Sequence, residues 1–193
     1  MKPNVTKKLL TFYIETARQR VLGILFKYPE KEFSLSDLAK EAGVAKAHIG
    51  KILDEFYSLN LITITKLSKI WRIKANQQNP EYINDKIVYN LGFIYQSGLV
   101  EFLNEEFNNP KAIILFGSFR KGDDISTSDI DIAIESDDAK DYQIIRHKEL
   151  MEFENMIDKK IQIHLFNRKN VDTNVFNNIA NGIVLSGFLE VKP

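Results

Sequence analysis

Two short segments separated by a glycine-serine corner constrain the fold of this chain more than any other feature. Residues 111–116 read Lys-Ala-Ile-Ile-Leu-Phe and end directly in Gly117 and Ser118, and residues 129–135 follow after ten further residues. A short unbroken apolar run of this kind is typical of a central strand. The pattern therefore predicts a sheet whose core is built from this part of the chain.

The second segment, Asp-Ile-Asp-Ile-Ala-Ile-Glu, places two carboxylates on one face of its strand. Side chains alternate across a strand, so Asp129 and Asp131 share one face while Ile130, Ile132 and Ile134 enter the core. Two adjacent carboxylates repel each other unless a cation lies between them. Magnesium prefers oxygen ligands and is commonly shared between one or two carboxylates and substrate phosphates. The pair therefore predicts a Mg²⁺ site.

The corner before this strand has the composition of a phosphate-binding turn. Gly117 lets backbone N–H groups approach a phosphate closely, and Ser118 adds a hydroxyl donor. The alternative is a surface turn followed by an edge strand with two solvated aspartates. That alternative requires the corner, the ten-residue gap and the carboxylate pair to coincide by chance, so we favour the phosphate site.

The stretch FGSFRKGDDISTSDIDIAIE resembles the signature of the nucleotidyltransferase superfamily related to DNA polymerase beta, in the small prokaryotic form called minimal nucleotidyltransferases. The residues that match in identity and spacing are Gly117, Ser118, Gly122, Ser128, Asp129 and Asp131, and Lys121 stands where an arginine is frequent. The resemblance implies that Mg²⁺, or Mn²⁺, is the cofactor and that an NTP, with ATP as first choice, is the substrate.

The same resemblance implies a role for each matching residue. Asp129 and Asp131 are the implied catalytic residues and metal ligands. The implied nucleotide-binding residues are Gly117, Ser118, Lys121 and Ser128. The implied reaction is an in-line attack on the α-phosphorus that releases pyrophosphate, with no covalent enzyme intermediate.

The chain departs from the family pattern on its next strand, residues 160–166, where a third carboxylate is usual. Gln162, or His164 on the same face, stands there, and neither supplies the charge of an aspartate. His164 is a candidate neutral base or a half-buried strand residue. The carboxylates that offer another base are Asp158, Glu149, Glu152 and Glu154. We expect an amphipathic helix over 141–157, and a helix ending near 181–182 in the tail.

In the N-terminal half, the spacing of apolar residues predicts helices over 16–28, 34–44 and 45–60, followed by strands over 61–65 and 70–74. This order resembles the winged helix-turn-helix of prokaryotic transcription regulators over residues 15–75. It implies DNA contacts from the third helix and the hairpin, by Lys46, His48, Lys51, Lys66, Lys69 and Arg72. A scaffold for dimerisation or protein contact is the alternative, and the exposed start of the third helix has no Arg, Asn or Gln to read base edges.

Charge divides the chain into two halves, although the formal net charge is zero. Residues 1–76 carry 14 Lys+Arg and 7 Asp+Glu, or +7, so the remaining 12 and 19 give −7 to residues 77–193. We therefore predict a winged helix-turn-helix domain at 1–76, a linker helix at 77–109 with a break near 97–98, and a nucleotidyltransferase domain at 110–193. The fold class is α+β, with a C-terminal mixed sheet flanked by helices.

Composition narrows the functional classes. The chain has no cysteine, so it can form neither disulfides nor cysteine-ligated zinc sites, and no apolar stretch approaches a membrane span. These features predict a cytoplasmic protein with no membrane partner. Three hypotheses remain: an active nucleotidyltransferase with an unidentified acceptor, a DNA-binding regulator that senses a nucleotide without turnover, or an inert oligomerisation module. Duplex DNA, a protein acceptor and a second copy of the chain are the candidate partners.

Overall fold

A computed structural model of the chain describes residues 16–67, 70–169 and 171–191. Contacts divide it into two compact units, with the boundary between Tyr89 and Asn90. The limits predicted from the sequence, at 76/77 and 109/110, differ from this boundary and stay a prediction. The fold is α+β, and the two units are a winged helix-turn-helix and a mixed sheet flanked by helices.

The N-terminal unit contains three helices followed by a two-stranded hairpin. These elements are α1 (Ala17–Lys27), α2 (Leu35–Glu41), α3 (Lys46–Ser58), β1 (Ile62–Leu67) and β2 (Ile70–Ala75). Thr16 closes a capping box with Gln19 at the start of α1, and the Ser34 hydroxyl caps α2. Gly43 takes φ +60° in the turn between α2 and α3, a conformation that glycine commonly adopts after a helix.

One apolar face from each helix forms the core of this unit. Ile49, Leu53 and Phe56 of α3 are fully buried, and Phe33 bonds through its backbone to Ile73 of the hairpin. The two strands of the hairpin are antiparallel, with Ile62 opposite Ala75 and Lys66 opposite Trp71. Leu59 follows the end of α3 and is 42% exposed, so it lies outside this core.

The predicted break in the linker helix is confirmed. Helix α4 (Pro80–Gln96) ends before Ser97, and α5 (Leu99–Glu106) begins after Gly98, which has φ +83°. A residue with a Cβ rarely adopts this conformation, so the glycine allows the chain to turn between two helices. No helix in the described parts of the chain is long and apolar enough to cross a membrane.

The C-terminal unit is built on a five-stranded sheet with strand order β5-β6-β4-β3-β7. Its strands are β3 (Ala112–Phe116), β4 (Ile130–Glu135), β5 (Gln143–Ile145), β6 (Ile161–Phe166) and β7 (Ile183–Gly187). The β4–β6 pair is parallel, and the other neighbours are antiparallel. The helices after α5 are α6 (Gly117–Lys121), α7 (Met151–Ile157) and α8 (Thr173–Ala180).

Each face of this sheet buries a different cluster. The larger cluster takes the isoleucines of β4, with Ile113, Leu115, Ile161 and Ile163, and packs against residues of α4, α5 and α7. The smaller cluster contains Ala112, Ile114, Ala133, Phe166 and Ile179. The odd-numbered positions of β4, which include Asp131, lie on the face of the smaller cluster because side chains alternate along a strand.

Two sequence expectations for this unit have different outcomes. The amphipathic helix predicted over 141–157 is wrong, because the segment begins with the short strand β5, continues in a 3-10 turn at Lys148–Leu150, and becomes helical only in α7. Ile144 and Ile145 are β-branched, and β5 pairs them with β6. The tail helix is confirmed as α8, with Asn181 at its C-terminal cap, and the apolar stretch after it forms edge strand β7.

Candidate active site

The two predicted metal ligands lie on one face of the sheet, where strand β6 contacts both of them. The amide nitrogen of Gln162 donates a short hydrogen bond to Oδ2 of Asp129, and Nε2 of His164 lies 3.1 Å from Oδ1 of Asp131. Gln162 and His164 are two residues apart on β6, so they point to the same face. Both carboxylates must therefore project to that face, as the sequence predicts.

Gly117 lies against the second of these carboxylates. It has φ +72°, and a Cβ built on it would lie 3.2 Å from Cγ of Asp131 and closer still to Oδ2. Any larger residue would therefore need both a strained backbone and a displaced carboxylate. The absence of a side chain at Gly117 therefore lets the Asp131 carboxylate lie directly against the backbone of this corner.

A hydrogen-bonded chain continues from Asp131 through His164 to Tyr142. The Tyr142 hydroxyl lies 2.6 Å from Nδ1 of His164, and the ring of Phe116 packs edge-on against the imidazole at 4.8 Å between centroids. Burial raises the pKa of the Tyr142 phenol, and the negative charge of Asp131 raises it further. The phenol is therefore protonated at neutral pH and can donate its hydrogen.

A buried polar network holds the loop that leads into β4. Lys159 forms an ion pair with Asp124 at 3.1 Å, and both side chains are almost completely buried. Asn90 donates to Asp124 at 3.0 Å and to the backbone oxygen of Phe119 at 2.8 Å. Lys159 also donates to the backbone oxygen of Ile125. These bonds fix the loop immediately before Asp129.

Asp129 also lines a pocket of about 200 Å³ on the side of this loop. All the lining residues are polar or charged: Ser126, Thr127, Ser128, Asp129, Glu154, Asn155, Asp158, Lys159 and Lys160. Two of the four alternative bases, Glu154 and Asp158, are thus beside Asp129, whereas Glu149 and Glu152 are not among these residues. Glu154 accepts bonds from Lys160 and from the backbone of Ile161.

The other predicted nucleotide-binding residues lie close to the two carboxylates in the chain. Ser118 follows Gly117 in α6 and is partly buried, and Lys121 ends the same helix with an exposed side chain. Ser128 has a bond of its own, since its Oγ accepts the backbone N–H of Ile125 at 3.0 Å. Its hydroxyl therefore stabilises the turn before Asp129.

The predicted DNA-binding side chains are exposed in the N-terminal unit. Lys46, His48 and Lys51 are exposed on α3. On the hairpin, the Lys66 ammonium lies 4.2 Å from the ring centroid of Trp71, and Arg72 forms an ion pair with Glu32 at 3.6 Å. Lys69 lies outside the described residues.

Two parts of this site could not be predicted from the sequence. Tyr142 falls in the segment that was expected to be helical, so its contact with His164 could not be foreseen. Asp124 and Lys159 are 35 positions apart, and nothing in the sequence around either residue distinguishes it from an exposed charged residue. Charged residues are rarely fully buried without a partner, but the partner is visible only in the fold.

Comparison with solved structures finds similar folds only at low scores. BpsR from Bordetella bronchiseptica is 10% identical, with a TM-score of 0.34 over 54% of this chain and 83% of its own. The DNA binding of BpsR is regulated by 6-hydroxynicotinic acid. The adhesin competence repressor AdcR from Streptococcus pyogenes is 12% identical, with a TM-score of 0.35 over 53% and 75%. The heme sensor PefR from Streptococcus agalactiae is 12% identical, with a TM-score of 0.34 over 53% and 80%. These scores are too low to support a conclusion.

Sequence comparison is informative for the C-terminal unit. No curated protein sequence matches the chain. Residues 98–187 match the family model described as "Polymerase beta, Nucleotidyltransferase". This range contains the Gly117–Ser118 corner, both aspartates and strands β3 to β7. The part of the chain that forms the five-stranded sheet is thus similar to the nucleotidyltransferases that this family model describes.

Proposed function

We propose that the C-terminal unit transfers a nucleotidyl group from a Mg²⁺-bound NTP, with ATP as first choice, to a hydroxyl-bearing or similar acceptor. The observation that carries the proposal is the arrangement of Asp129 and Asp131 on one sheet face, with Asp131 against Gly117. The family match of residues 98–187 supports the same reaction class.

The donor set fits a magnesium ion. Asp129 and Asp131 supply carboxylate oxygens, and the described residues contain no group of three or more His, Cys, Asp or Glu side chains arranged around one ion. Mg²⁺ keeps several waters and takes phosphate oxygens as further ligands, so two carboxylates are a sufficient protein contribution. When bound, Mg²⁺ or Mn²⁺ supplies charge neutralisation on the phosphates and orientation of the reacting oxygens.

The residues around the carboxylates have separate proposed tasks. Gly117 admits a phosphate beside Asp131, and Ser118 offers it a hydroxyl donor. Lys121 adds a positive charge at the end of the same helix. The acceptor oxygen forms a bond to the α-phosphorus, the bond from that phosphorus to the pyrophosphate oxygen breaks, and the acceptor proton passes to water or to a carboxylate. Positioning and electrostatics carry most of such a reaction.

The polar pocket beside Asp129 gives the acceptor an approach. Gly117 abuts Asp131, whereas the pocket is lined by Asp129, so nucleotide and acceptor can meet the carboxylate pair from different directions. In-line displacement requires the attacking and leaving groups to lie on opposite sides of the phosphorus. The all-polar lining favours a hydrophilic acceptor, which a small molecule, a nucleic acid or a protein side chain can supply.

The test is transfer of label from α-labelled NTPs in a cell extract containing Mg²⁺ or Mn²⁺. The parent is compared with Asp129→Asn and Asp131→Asn, which keep the side-chain shape and remove the charge. Asp137→Asn is the matched control, because Asp137 is an exposed carboxylate whose partner is the surface residue Lys111. We expect label transfer by the parent and the control and not by the two site variants. Equal transfer by all four proteins would contradict the proposal.

A second candidate function is a DNA-binding regulator whose nucleotidyltransferase domain senses a nucleotide without turnover. Two observations favour it: Gln162 and His164 stand where a third carboxylate is usual, and exposed cations lie on α3 and the hairpin. It predicts metal-dependent NTP binding with no pyrophosphate release, and DNA affinity that changes with nucleotide. A homodimer would present two such helices to the duplex.

DNA binding is tested by retention of duplex DNA at increasing salt. Each lysine that contacts a phosphate adds about 0.9 to the slope of log affinity against log salt. We therefore expect Lys46→Ala, Lys51→Ala and Lys66→Ala each to flatten the slope, while Lys111→Ala, a surface substitution in the other unit, leaves it unchanged. A slope near zero in the parent would remove DNA as a partner.

A further inference from the structure

His164 has both of its ring nitrogens engaged. Nδ1 lies 2.6 Å from the Tyr142 hydroxyl, and Nε2 lies 3.1 Å from Oδ1 of Asp131. The His164 side chain is 8% exposed, and Phe116 and Tyr142 both contact its ring. The imidazole therefore lies in a closed environment with one polar partner on each side.

Hydrogen-bond chemistry determines which group donates and which accepts in the series Tyr142–His164–Asp131. An ionised carboxylate can only accept, so the proton of a neutral imidazole must be on Nε2, where it is donated to Asp131. Nδ1 is then an acceptor, and the Tyr142 hydroxyl is its donor. The raised pKa of the phenol agrees with this direction, because a protonated phenol has a hydrogen to donate.

We propose that Tyr142 and His164 are positioning residues that orient Asp131 for the metal, and that His164 is not the base. This inference rests on the proposed metal role of Asp131. Neither ring nitrogen has a free lone pair that faces the acceptor, since one is protonated toward Asp131 and the other accepts from Tyr142. A histidine thus occupies the strand of the missing carboxylate and acts through Asp131, one of the two carboxylates that remain.

The geometry explains how this positioning works. The Asp131 side chain is 26% exposed, with Oδ1 bonded to His164 and Oδ2 directed toward Gly117. The bond to Oδ1 restrains rotation of the carboxylate, so Oδ2 keeps facing Gly117. Hydrogen bonds of this kind to metal ligands orient them and contribute to metal affinity.

Tyr142 acts one step further away. Its hydrogen bond holds the imidazole in the tautomer that donates from Nε2. Without the hydroxyl, the ring can place its proton on Nδ1, which would leave the Nε2 lone pair facing the negative charge of Asp131. Loss of the phenol hydroxyl should therefore disturb Asp131 only through His164.

The test measures binding of Mn²⁺ by electron paramagnetic resonance, with and without ATP, and does not require turnover. Loss of an outer-shell partner typically lowers metal affinity by about 10-fold or more, so we expect His164→Ala to weaken Mn²⁺ binding by about that factor. Tyr142→Phe should weaken it less, by about 3-fold, because the Nε2 donor is still present. Tyr95→Phe is the matched control, because Tyr95 is an exposed tyrosine of the same unit.

Two further variants separate positioning from a general structural effect. In the His164→Ala background, Tyr142→Phe should cause no additional loss, because its effect is transmitted by the ring. His164→Gln keeps an amide donor near the position of Nε2, so it should recover most of the affinity and be insensitive to Tyr142→Phe. Circular dichroism of each variant shows whether the fold is retained.

The outcomes distinguish this inference from the proposed function. If the parent binds Mn²⁺ and His164→Ala binds it equally well, or if the two losses are additive, the positioning role is wrong while the metal site stands. If Asp131→Asn also leaves Mn²⁺ binding unchanged, the metal site itself is wrong. In an active enzyme, Tyr142→Phe should raise the Mg²⁺ concentration needed for half-maximal rate and leave the rate at saturating Mg²⁺ nearly unchanged.

Discussion

The two faces of the five-stranded sheet share the same central strands but differ in what they bury. One face is apolar along its length, where the isoleucines of β4 and β6 pack against helices. The other is apolar near Ala133 and Phe166 and becomes polar toward Asp131, Gln162 and His164. The first face is organised for stability, whereas the second gives up part of its apolar burial and holds the carboxylates of Asp129 and Asp131 by hydrogen bonds instead.

Adjacent residues of β4 test this difference most strongly. Ile132→Ala should lower the free energy of unfolding by about 2–5 kcal/mol, because it leaves a cavity in the larger cluster. Asp131→Asn, on the opposite face, should leave stability nearly unchanged. It should lower transfer or metal affinity by more than about 100-fold, since even outer-shell partners of a metal contribute 10–100-fold.

Denaturant unfolding and Mn²⁺ titration of both variants provide the two measurements. The folded fraction of Ile132→Ala should bind Mn²⁺ as the parent does. A stability loss in Asp131→Asn that equals that of Ile132→Ala would mean that both faces serve the fold, and the distinction between them would fail.

The next prediction concerns the buried ion pair of Asp124 and Lys159, which holds the loop before Asp129. Lys159→Met should cost about 3 kcal/mol, because removal of one partner leaves the buried charge of Asp124 poorly compensated. Combining it with Asp124→Asn should recover part of the loss, since no charge then remains buried. Thermal or denaturant unfolding measures both effects.

Lys160→Met is the matched control for this pair. Lys160 is the next residue, its side chain is 62% exposed, and its partner is Glu154. An exposed pair of this kind contributes less than about 1 kcal/mol. Equal losses from Lys159→Met and Lys160→Met would show that burial of the network is not what stabilises the loop.

The apolar face was much easier to predict from sequence than the polar one. Alternation along residues 129–135 assigned Ile130, Ile132 and Ile134 to the core and the two aspartates to one face, and the structure confirms both. Such assignments need only the period of a strand. The contacts of the two carboxylates depend on a neighbouring strand. The sequence indicated Gln162 and His164, on the strand that became β6, as candidates for these contacts. Which carboxylate each of them bonds depends on the parallel register of β4 and β6.

Tyr142 shows where local patterns fail. Residues 141–157 have enough apolar positions at helical spacing to suggest one helix, yet Gln143–Ile145 pair with the edge of β6. Pairing between strands is a tertiary interaction, and it overrides weak helix propensity. The sequence therefore predicted that the two aspartates share one face, and it missed Tyr142, which bonds to the histidine beside Asp131.

Gly117→Ala should lower stability less than Ile132→Ala or Lys159→Met, and it tests whether the glycine serves the backbone or the site. Positive φ in a residue other than glycine costs about 1–3 kcal/mol. Gly43→Ala isolates that cost, because Gly43 has φ +60° and a Cβ there would meet nothing within 4 Å. At Gly117 the added methyl group would also meet the Asp131 carboxylate. We therefore expect a loss of stability comparable to that of Gly43→Ala, together with a clear loss of Mn²⁺ and nucleotide binding that Gly43→Ala does not share. If Gly117→Ala loses stability alone and keeps both ligands, the glycine is required by the turn, and its close approach to Asp131 is not needed for metal or phosphate binding.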